Sequence, residues 1–198
     1  MSPPGQQPRQ TSVSAKRIIL LALPAVVVLL LWFRYPPLRE YRLYLSEKRP
    51  EVGLVWKEVS STWTEEYLAK RFPGVQKYCG PDYTGTPHAE RVCALDVRSI
   101  NGTPTMYANF MFSKNRLIKV ATAIPWWSYE PGYQEIKMTF GEPYASQDWW
   151  HSGVRLHGWQ LEDGAAIFYN RDRSFNPMNA NSIQWLSAAA CAPKGCFH

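Results

Sequence analysis

Two pairs of adjacent tryptophans are the residues of this 198-residue chain best suited to binding. Trp126-Trp127 and Trp149-Trp150 lie in the polar segments that flank a predicted helix. Neighbouring side chains on a strand or helix point in different directions, so both rings of a pair cannot enter the same core. At least one ring of each pair is therefore expected at a surface, where it could stack on a sugar, anchor a protein interface or touch a membrane. The alternative is that the rings cap the open ends of a sheet.

Residue types used in catalysis are present, but not in an arrangement that defines a reaction. Asp148, His151 and Ser152 are the types of a nucleophilic triad, although closeness in sequence does not supply the geometry that a triad needs. The chain has no nucleophile elbow, zinc-protease helix motif or phosphate-binding loop. Asp148 or Glu130 beside the tryptophans could serve a glycoside hydrolase, whose carboxylates are often distant in sequence. We therefore expect a noncatalytic protein that needs no cofactor.

Four cysteines, all beyond residue 78, predict disulfide bonds. Cys79 and Cys93 bracket a stretch with glycines and prolines that cannot build a core of its own, and Cys191 and Cys196 close a short terminal loop. Of the three possible connectivities we favour this pairing of sequence neighbours. A zinc site formed by Cys191, Cys196 and His198 would lack a fourth ligand nearby, so no metal is expected.

The apolar run from Ile18 to Phe33 predicts a membrane-spanning helix within residues 16–35. It contains no charged residue and would span about 24 Å as a helix. A cleaved signal peptide would need a small-x-small site, whereas the run ends in WFRYPPLRE. Lys and Arg flank both ends and do not fix the orientation, but the cysteines favour export of the C-terminal part. We therefore predict a single-pass protein of a bacterial inner membrane, in contact with the lipid bilayer through residues 18–33 and with its C-terminal domain in the periplasm.

The net charge of +6 does not predict a nucleic-acid partner. Arg9, Lys16, Arg17 and Arg34 flank the apolar run and account for most of the excess, which leaves a nearly balanced charge beyond Arg34. Residues 1–15 are rich in Pro, Gln and Ser and predict a disordered cytoplasmic tail. Residues 36–50 predict a juxtamembrane stalk, and 51–198 a folded periplasmic domain.

Hydrophobic periodicity predicts an α+β fold for this domain. The spacing of apolar residues from Val52 to Tyr67 is helical, although Thr62 with Glu65 could divide it into two short helices. Alternation predicts strands over 92–100, 105–112 and 116–124, with Asn101-Gly102 as a hairpin turn. A helix over 131–140 and strands over 155–162, 165–169 and 182–186 repeat this plan. We expect an antiparallel sheet with helices on one face, either as a single unit or as two helix-plus-meander halves.

The run FSKNRLIKV, the helix that ends in FGEP and the W-x-L-x-D-G hairpin resemble small envelope modules. The resemblance is to the outer-membrane assembly lipoprotein family (SmpA/OmlA) and to the β-lactamase-inhibitor proteins, and it covers residues 110–187. It implies helices packed on an antiparallel sheet and a protein-binding role. The lipobox cysteine of the lipoprotein family is missing here, where a membrane helix is predicted instead.

These observations predict a membrane-anchored, noncatalytic protein-binding module that acts as a scaffold, an assembly factor or an inhibitor. Its partner would be another envelope protein, with Trp126, Trp127, Trp149 and Trp150 as candidate contact residues. The alternative is a protein that binds or hydrolyses an envelope glycan or peptidoglycan, with these tryptophans as its platform.

Overall fold

A computed structural model describes residues 23–24, 26–28, 35–149, 154–192 and 195–197. The chain divides into two compact units, Met1–Arg39 and Glu40–His198. In the first unit the described residues between 23 and 28 are helical, and the side chains of Leu23, Val26, Val27 and Val28 are exposed. Within the described ranges no helix is both long and apolar enough to cross a membrane. The predicted tail at 1–15 and most of the predicted span at 16–35 lie outside these ranges, so both stay predictions.

The helices and strands of the described chain follow one another in an order that confirms the α+β class. The helices are α1 (Pro36–Ser46), α2 (Glu65–Arg71), α3 (Tyr129–Phe140) and α4 (Ala188–Cys191), with 3-10 turns at Trp56–Glu58 and Trp126–Ser128. The strands are β1 (Glu51–Val52), β2 (Lys77–Pro81), β3 (Arg91–Asp96), β4 (Ser99–Ile100), β5 (Thr103–Pro104), β6 (Tyr107–Ser113), β7 (Arg116–Ala123), β8 (Ala145–Trp149), β9 (Val154–Gln160), β10 (Ala166–Asn170) and β11 (Ile183–Leu186).

Eight of these strands form one antiparallel sheet in the order β2-β3-β6-β7-β11-β10-β9-β8. Helix α2 precedes the four strands at one side of the sheet, and helix α3 precedes the four at the other side. The last strand of each set meets the other at the centre, where Val120 of β7 pairs with Trp185 of β11. Strands β1, β4 and β5 make a second, small sheet.

One core joins helices α2 and α3 to one face of the large sheet. Leu68 of α2 and Ile136 of α3 are fully buried in the same cluster as Phe110, Ile167 and other sheet residues. Helix α3 lies so close to the sheet that a Cβ built on Gly132 would stand 2.7 Å from the Tyr169 hydroxyl oxygen. Helices α2 and α3 therefore cover this face. The opposite face is not free of helices, because Tyr41 and Tyr44 of α1 pack beside Ala123 and Ala190 of α4 packs beside Ala121, so the prediction of helices on one face holds only for α2 and α3.

The predicted helical stretch from Val52 to Tyr67 is wrong over most of its length. Val52 lies in strand β1 beside Ile100, and Trp56 begins a 3-10 turn in which its indole donates to the Glu135 carboxylate at 3.1 Å. The helix starts only after Thr64, whose hydroxyl caps it by accepting from the Tyr67 amide. Tertiary contacts of the apolar residues thus override their helical spacing.

The predicted Asn101-Gly102 turn is confirmed, with both residues in the left-handed region (φ of 52° and 81°). It joins the short strands β4 and β5 rather than two long ones. The Asn101 side chain also accepts from the Leu54 amide and donates to the Leu54 carbonyl and to Glu135. The turn is therefore a junction between the small sheet and α3.

Residues 40–50, expected in a stalk, belong to the folded unit. Tyr41 and Tyr44 of α1 are buried in a cluster with Met106 and Ala123. The Tyr44 hydroxyl donates to the Arg98 carbonyl at 2.9 Å, and the Arg98 guanidinium donates back to the Tyr44 carbonyl at 3.0 Å. The compact unit consequently begins at Glu40, before the boundary that composition predicts.

Both predicted disulfides are present. Cys79 and Cys93 face each other across β2 and β3, and Cys191 bonds Cys196 in the tail. In the chain-entropy model, closing a loop as long as the one between Cys79 and Cys93 adds about 3 kcal/mol to the free energy of unfolding. Because these sulfurs are bonded to each other, Cys191 and Cys196 are not free to hold a metal; His198 lies outside the described residues.

Candidate binding surfaces

The face of the large sheet opposite helices α2 and α3 carries one row of side chains that crosses all eight strands. Strand register gives the order of this row as Tyr78, Ala94, Asn109, Ala121, Gln184, Phe168, Gly158 and Ala145. Over the last part of the row the C-terminal tail packs on the sheet, and the Phe197 ring occupies the space that a Cβ on Gly158 would need. Over the first part, Ala94 and Ala121 remain partly exposed. We call this part, with its flanking side chains, the sheet trough (Tyr83, Ala94, Tyr107, Asn109, Lys119 and Ala121).

Asn109 forms the floor of the trough. Its neighbours across the two adjacent strands are Ala94 and Ala121, whose short side chains leave the amide at the bottom of a depression. Asn109 is only 9% exposed and its side chain hydrogen-bonds the Tyr83 hydroxyl, yet its Oδ1 has no hydrogen-bond partner among the described residues. A buried acceptor without a donor costs about 1–3 kcal/mol. A partner that supplied an N–H or O–H group would remove this cost.

Lys119 is the cationic group of the trough. Burial lowers the pKa of its ammonium, and the nearby Asp82 carboxylate acts in the opposite direction. Within the described ranges no hydrogen bond or ion pair involves this ammonium. A half-buried ammonium without a partner attracts a carboxylate or carbonyl oxygen from another molecule.

Tyrosines stand at the edge of the trough. Tyr83 is 70% exposed and Tyr107 is half-buried. Burial and the carboxylates of Asp96 and Asp82 raise the pKa of Tyr83, while a hydrogen bond with the Asn109 side chain acts in the opposite direction. Burial and Glu40 raise the pKa of Tyr107. Both hydroxyls therefore stay protonated near neutral pH and can donate to a partner.

The loop that carries Tyr83 is held by the Asp82 carboxylate. Its Oδ1 accepts from the amide and the hydroxyl of Thr84, at 2.9 and 2.6 Å, and its Oδ2 accepts from the Thr86 amide. Burial tends to raise the pKa of Asp82, but these hydrogen bonds outweigh it and hold the pKa below its usual range. The edge of the trough is thus an ordered turn, anchored at its base by the Cys79–Cys93 bond.

A second surface lies where the first tryptophan pair follows strand β7. We call it the tryptophan corner (Tyr41, Trp126, Trp127, Arg173 and Phe175). The Trp127 ring is 50% exposed and lies 5.4 Å from the Tyr41 ring. The Trp126 indole donates to the Ser174 carbonyl, and the Arg173 guanidinium lies 4.3 Å from the centre of its ring. One ring of the pair is therefore a surface group, and the other is covered by an arginine.

Backbone register does not place Trp149 next to the first tryptophan pair. Backbone register places Trp149 at the same end of the sheet as Trp126, but β8 and β7 are separated by four strand spacings, or about 19 Å. The Trp149 and Asp148 side chains and residues 150–153, which include Trp150, His151 and Ser152, lie outside the described part. Glu130 is exposed on α3 and accepts from Gln134 at 2.7 Å.

An aromatic cluster under helix α3 has no signal in the sequence. His157 of β9 lies 5.3 Å from the Tyr133 ring, and its Nδ1 is buried with no partner among the described residues. Burial and the Arg171 charge lower the pKa of His157, so the imidazole is neutral at neutral pH. Burial raises the pKa of Tyr129 to about 12, and the Tyr169 hydroxyl donates to the Tyr129 carbonyl at 2.7 Å. These groups pack α3 onto the sheet.

A cleft of about 510 Å³ opens between the Trp56–Glu58 turn, the end of α3 and the β9–β10 hairpin. Its lining includes three carboxylates, Glu58, Glu162 and Asp163, and the Lys57 ammonium lies 5.8 Å from the centre of the Phe140 ring. Elsewhere, Glu65 approaches the sulfurs of Cys79 and Cys93, but those sulfurs form a disulfide, and Glu65 pairs with Arg91.

Comparison with protein-family models, with curated proteins and with solved structures finds no match to this chain. The resemblance to envelope modules therefore has no support from these comparisons, and the function has to be argued from the surfaces described above.

Proposed function

We propose that this protein is a membrane-anchored, noncatalytic protein-binding module of the bacterial envelope. Its folded unit would lie in the periplasm and act on another envelope protein as a scaffold, an assembly factor or an inhibitor. The observation that carries the proposal is the sheet trough, in which, among the described residues, the Asn109 Oδ1 accepts no hydrogen bond and the half-buried Lys119 ammonium makes no direct ion pair, although the Asp82 carboxylate lies near it. Such groups cost stability in the free protein and are paired when a partner covers them.

The composition of the trough favours a protein over a small ligand. Ala94 and Ala121 project little from the sheet, so a partner's chain can approach the strands closely. Tyr78 and Tyr83 are 56% and 70% exposed beside them. Exposed tyrosines supply a large contact area and a hydrogen-bonding hydroxyl while losing few rotamers on binding. Small floor residues bordered by tyrosines are therefore suited to a protein loop.

Two further observations support the proposed location. The two disulfides suit an oxidising compartment such as the periplasm. In the first unit the described apolar side chains, such as Leu23 and Val28, are exposed, as expected for residues that contact lipid.

Purification of the full chain in mild detergent tests the proposal. We expect a stoichiometric partner with the unmodified protein. Ala121→Arg, which fills the trough, should abolish the complex. Met138→Arg, at an 80% exposed position on α3, should leave the complex intact as the matched control. A lone chain under gentle solubilisation, or equal effects of the two arginines, would contradict the proposal.

Glycan binding is the second candidate, favoured by the exposed Trp127 ring. In the described part this platform consists of one exposed ring, because Arg173 covers the Trp126 face. Retention of the full chain on purified sacculus, lost on Trp127→Ala but kept in Ala121→Arg, would favour this candidate over the protein-binding module.

A further inference from the structure

The sheet trough has opposite charges at its two ends. Asp96 of β3 and Lys119 of β7 pair with the residues of β6 that lie two positions to either side of Asn109. Residues two apart on a strand share a face, so these three side chains lie on the same side of the sheet. Glu40 adds a second carboxylate at the Asp96 end, where both act on the Tyr83 hydroxyl. The trough is therefore acidic at one end and basic at the other, with the Asn109 amide in the middle.

The ammonium of Lys119 has no counter-charge in contact with it within the described part of the chain. Asp82 lies nearby, but its Oδ1 accepts two hydrogen bonds from Thr84 and its Oδ2 accepts from the Thr86 amide. A partner that covers the trough removes the water around this half-buried ammonium, and a buried ammonium without a counter-charge is strongly unfavourable. The covering surface must therefore bring an anionic group, which in a protein is a carboxylate.

The positions of Asn109 and Lys119 define what that surface presents. Asn109 pairs with Ala121, two residues beyond Lys119, so the two side chains are diagonal neighbours on adjacent strands, about 7–8 Å apart. Two successive residues of an extended chain span about 7 Å. Because Ala94 and Ala121 are short, such a chain can approach the sheet closely. It can then place a backbone N–H on the Asn109 Oδ1 and a neighbouring carboxylate on Lys119.

We propose that the sheet trough binds an acidic loop of its partner, in which a side-chain carboxylate pairs with the Lys119 ammonium and a backbone N–H donates to the Asn109 Oδ1. The inference rests on the proposed protein-binding function and names the chemistry that the partner presents to it. The carboxylates of Glu40 and Asp96 repel an acid at the other end of the trough, so the loop binds with its acidic residue over β7.

Selection of random 12-residue peptides displayed on phage tests the inference with a defined probe. The bait is the immobilised full chain in detergent, and peptides that also bind Ala121→Arg are discarded because they bind outside the trough. We expect the remaining peptides to be enriched in Asp and Glu. N-methylation of the backbone beside the conserved acid of such a peptide should weaken its binding about tenfold, because the N–H to Asn109 is lost.

Substitutions at Lys119 test the charge pair with the selected acidic peptides. Lys119→Gln should weaken their binding about 30-fold or more, whereas Lys119→Arg, which keeps the charge, should retain most of the affinity. The matched control is Lys114→Gln, an exposed lysine in the turn between β6 and β7, which should leave binding unchanged. Selection on Lys119→Glu should yield peptides rich in Lys and Arg, a gain of binding that a misfolded variant would not show.

Two outcomes separate this inference from the function on which it rests. Peptides that need the open trough but are not enriched in acidic residues, or that bind Lys119→Gln as tightly as the unmodified chain, would overturn the inference and leave the protein-binding function intact. A selection in which every peptide also binds Ala121→Arg would contradict the function and the inference together.

Discussion

Replacing Asn109 with leucine should stabilise the free protein while it abolishes partner binding. Leucine has the same number and branching of side-chain heavy atoms as asparagine and removes an amide oxygen that is buried without a donor. The Tyr83 hydroxyl, which loses its hydrogen bond with Asn109, belongs to a residue that is 70% exposed and can bond water instead. Removing an unsatisfied acceptor recovers part of a cost of about 1–3 kcal/mol, and we expect a gain of about 1–2 kcal/mol in the free energy of unfolding. For a folded unit of this size that gain raises Tm by about 3–6 °C.

The matched control is the same substitution at Asn181, which is 1% exposed but whose side chain donates to the Pro125 carbonyl. Asn181→Leu loses this bond and should lower the free energy of unfolding by about 1 kcal/mol or more. Urea unfolding of the full chain in detergent, with the disulfides intact, measures both variants. Capture of the partner by Asn109→Leu is measured in parallel.

A loss of stability in Asn109→Leu as large as that in Asn181→Leu would refute this reasoning. It would show that the Asn109 amide is already satisfied in the free protein, for example by a bound water. A stabilised Asn109→Leu that still captures the partner would separate the amide from binding and remove the main support for the trough as the site.

Three further outcomes are expected from the contacts around helix α3. Glu135→Ala leaves the Trp56 indole without its acceptor and should lower the free energy of unfolding by about 2 kcal/mol. Glu135→Gln keeps an oxygen at that position and should lower it clearly less. Urea unfolding of the two variants measures the difference. Gly132→Ala should lower the free energy of unfolding because its Cβ meets the Tyr169 hydroxyl. In a double-mutant cycle with Tyr169→Phe, the loss in the double variant should be smaller than the sum of the two single losses by at least about 0.5 kcal/mol. The pKa of His157 is lowered on folding, so the unfolded chain binds more protons and stability should fall as pH drops below the unfolded pKa of about 6.5. Thermal unfolding across pH 5–8 should show this slope in the unmodified chain and a flatter one in His157→Phe; equal slopes would contradict the assignment.

The sheet is predictable from the sequence except at its two edges. The six inner strands are bounded by clear turns and alternate or run apolar, and these signals locate each of them within a few residues. The missed strands, β2 and β8, are the outermost ones. The sequence of β2 is KYCGP and that of β8 is ASQDW, and neither gives a clear strand pattern. Glycine, proline and polar residues are tolerated there because an edge strand has only one neighbour.

The candidate site is less predictable than the fold. Adjacent tryptophans signal surface rings, and Trp127 is exposed as that argument expects. Asn109 gave no signal, because a polar residue that alternates with apolar ones is ordinarily solvated. Only the pairing of β3, β6 and β7 shows that Ala94 and Ala121 flank it. Tyr83 reaches the Asn109 side chain from a loop whose base is held by the Cys79–Cys93 bond.

Site-specific photocrosslinking in intact cells tests the central claim most directly, that another protein occupies the sheet trough. A photoreactive phenylalanine analogue would replace Tyr83 at the edge of the trough or, as the control, Met138 on helix α3. We predict an adduct of one defined mass from position 83, none from position 138, and loss of the adduct when Ala121→Arg is added. Equal labelling from both positions, or no protein adduct from position 83, would contradict the account.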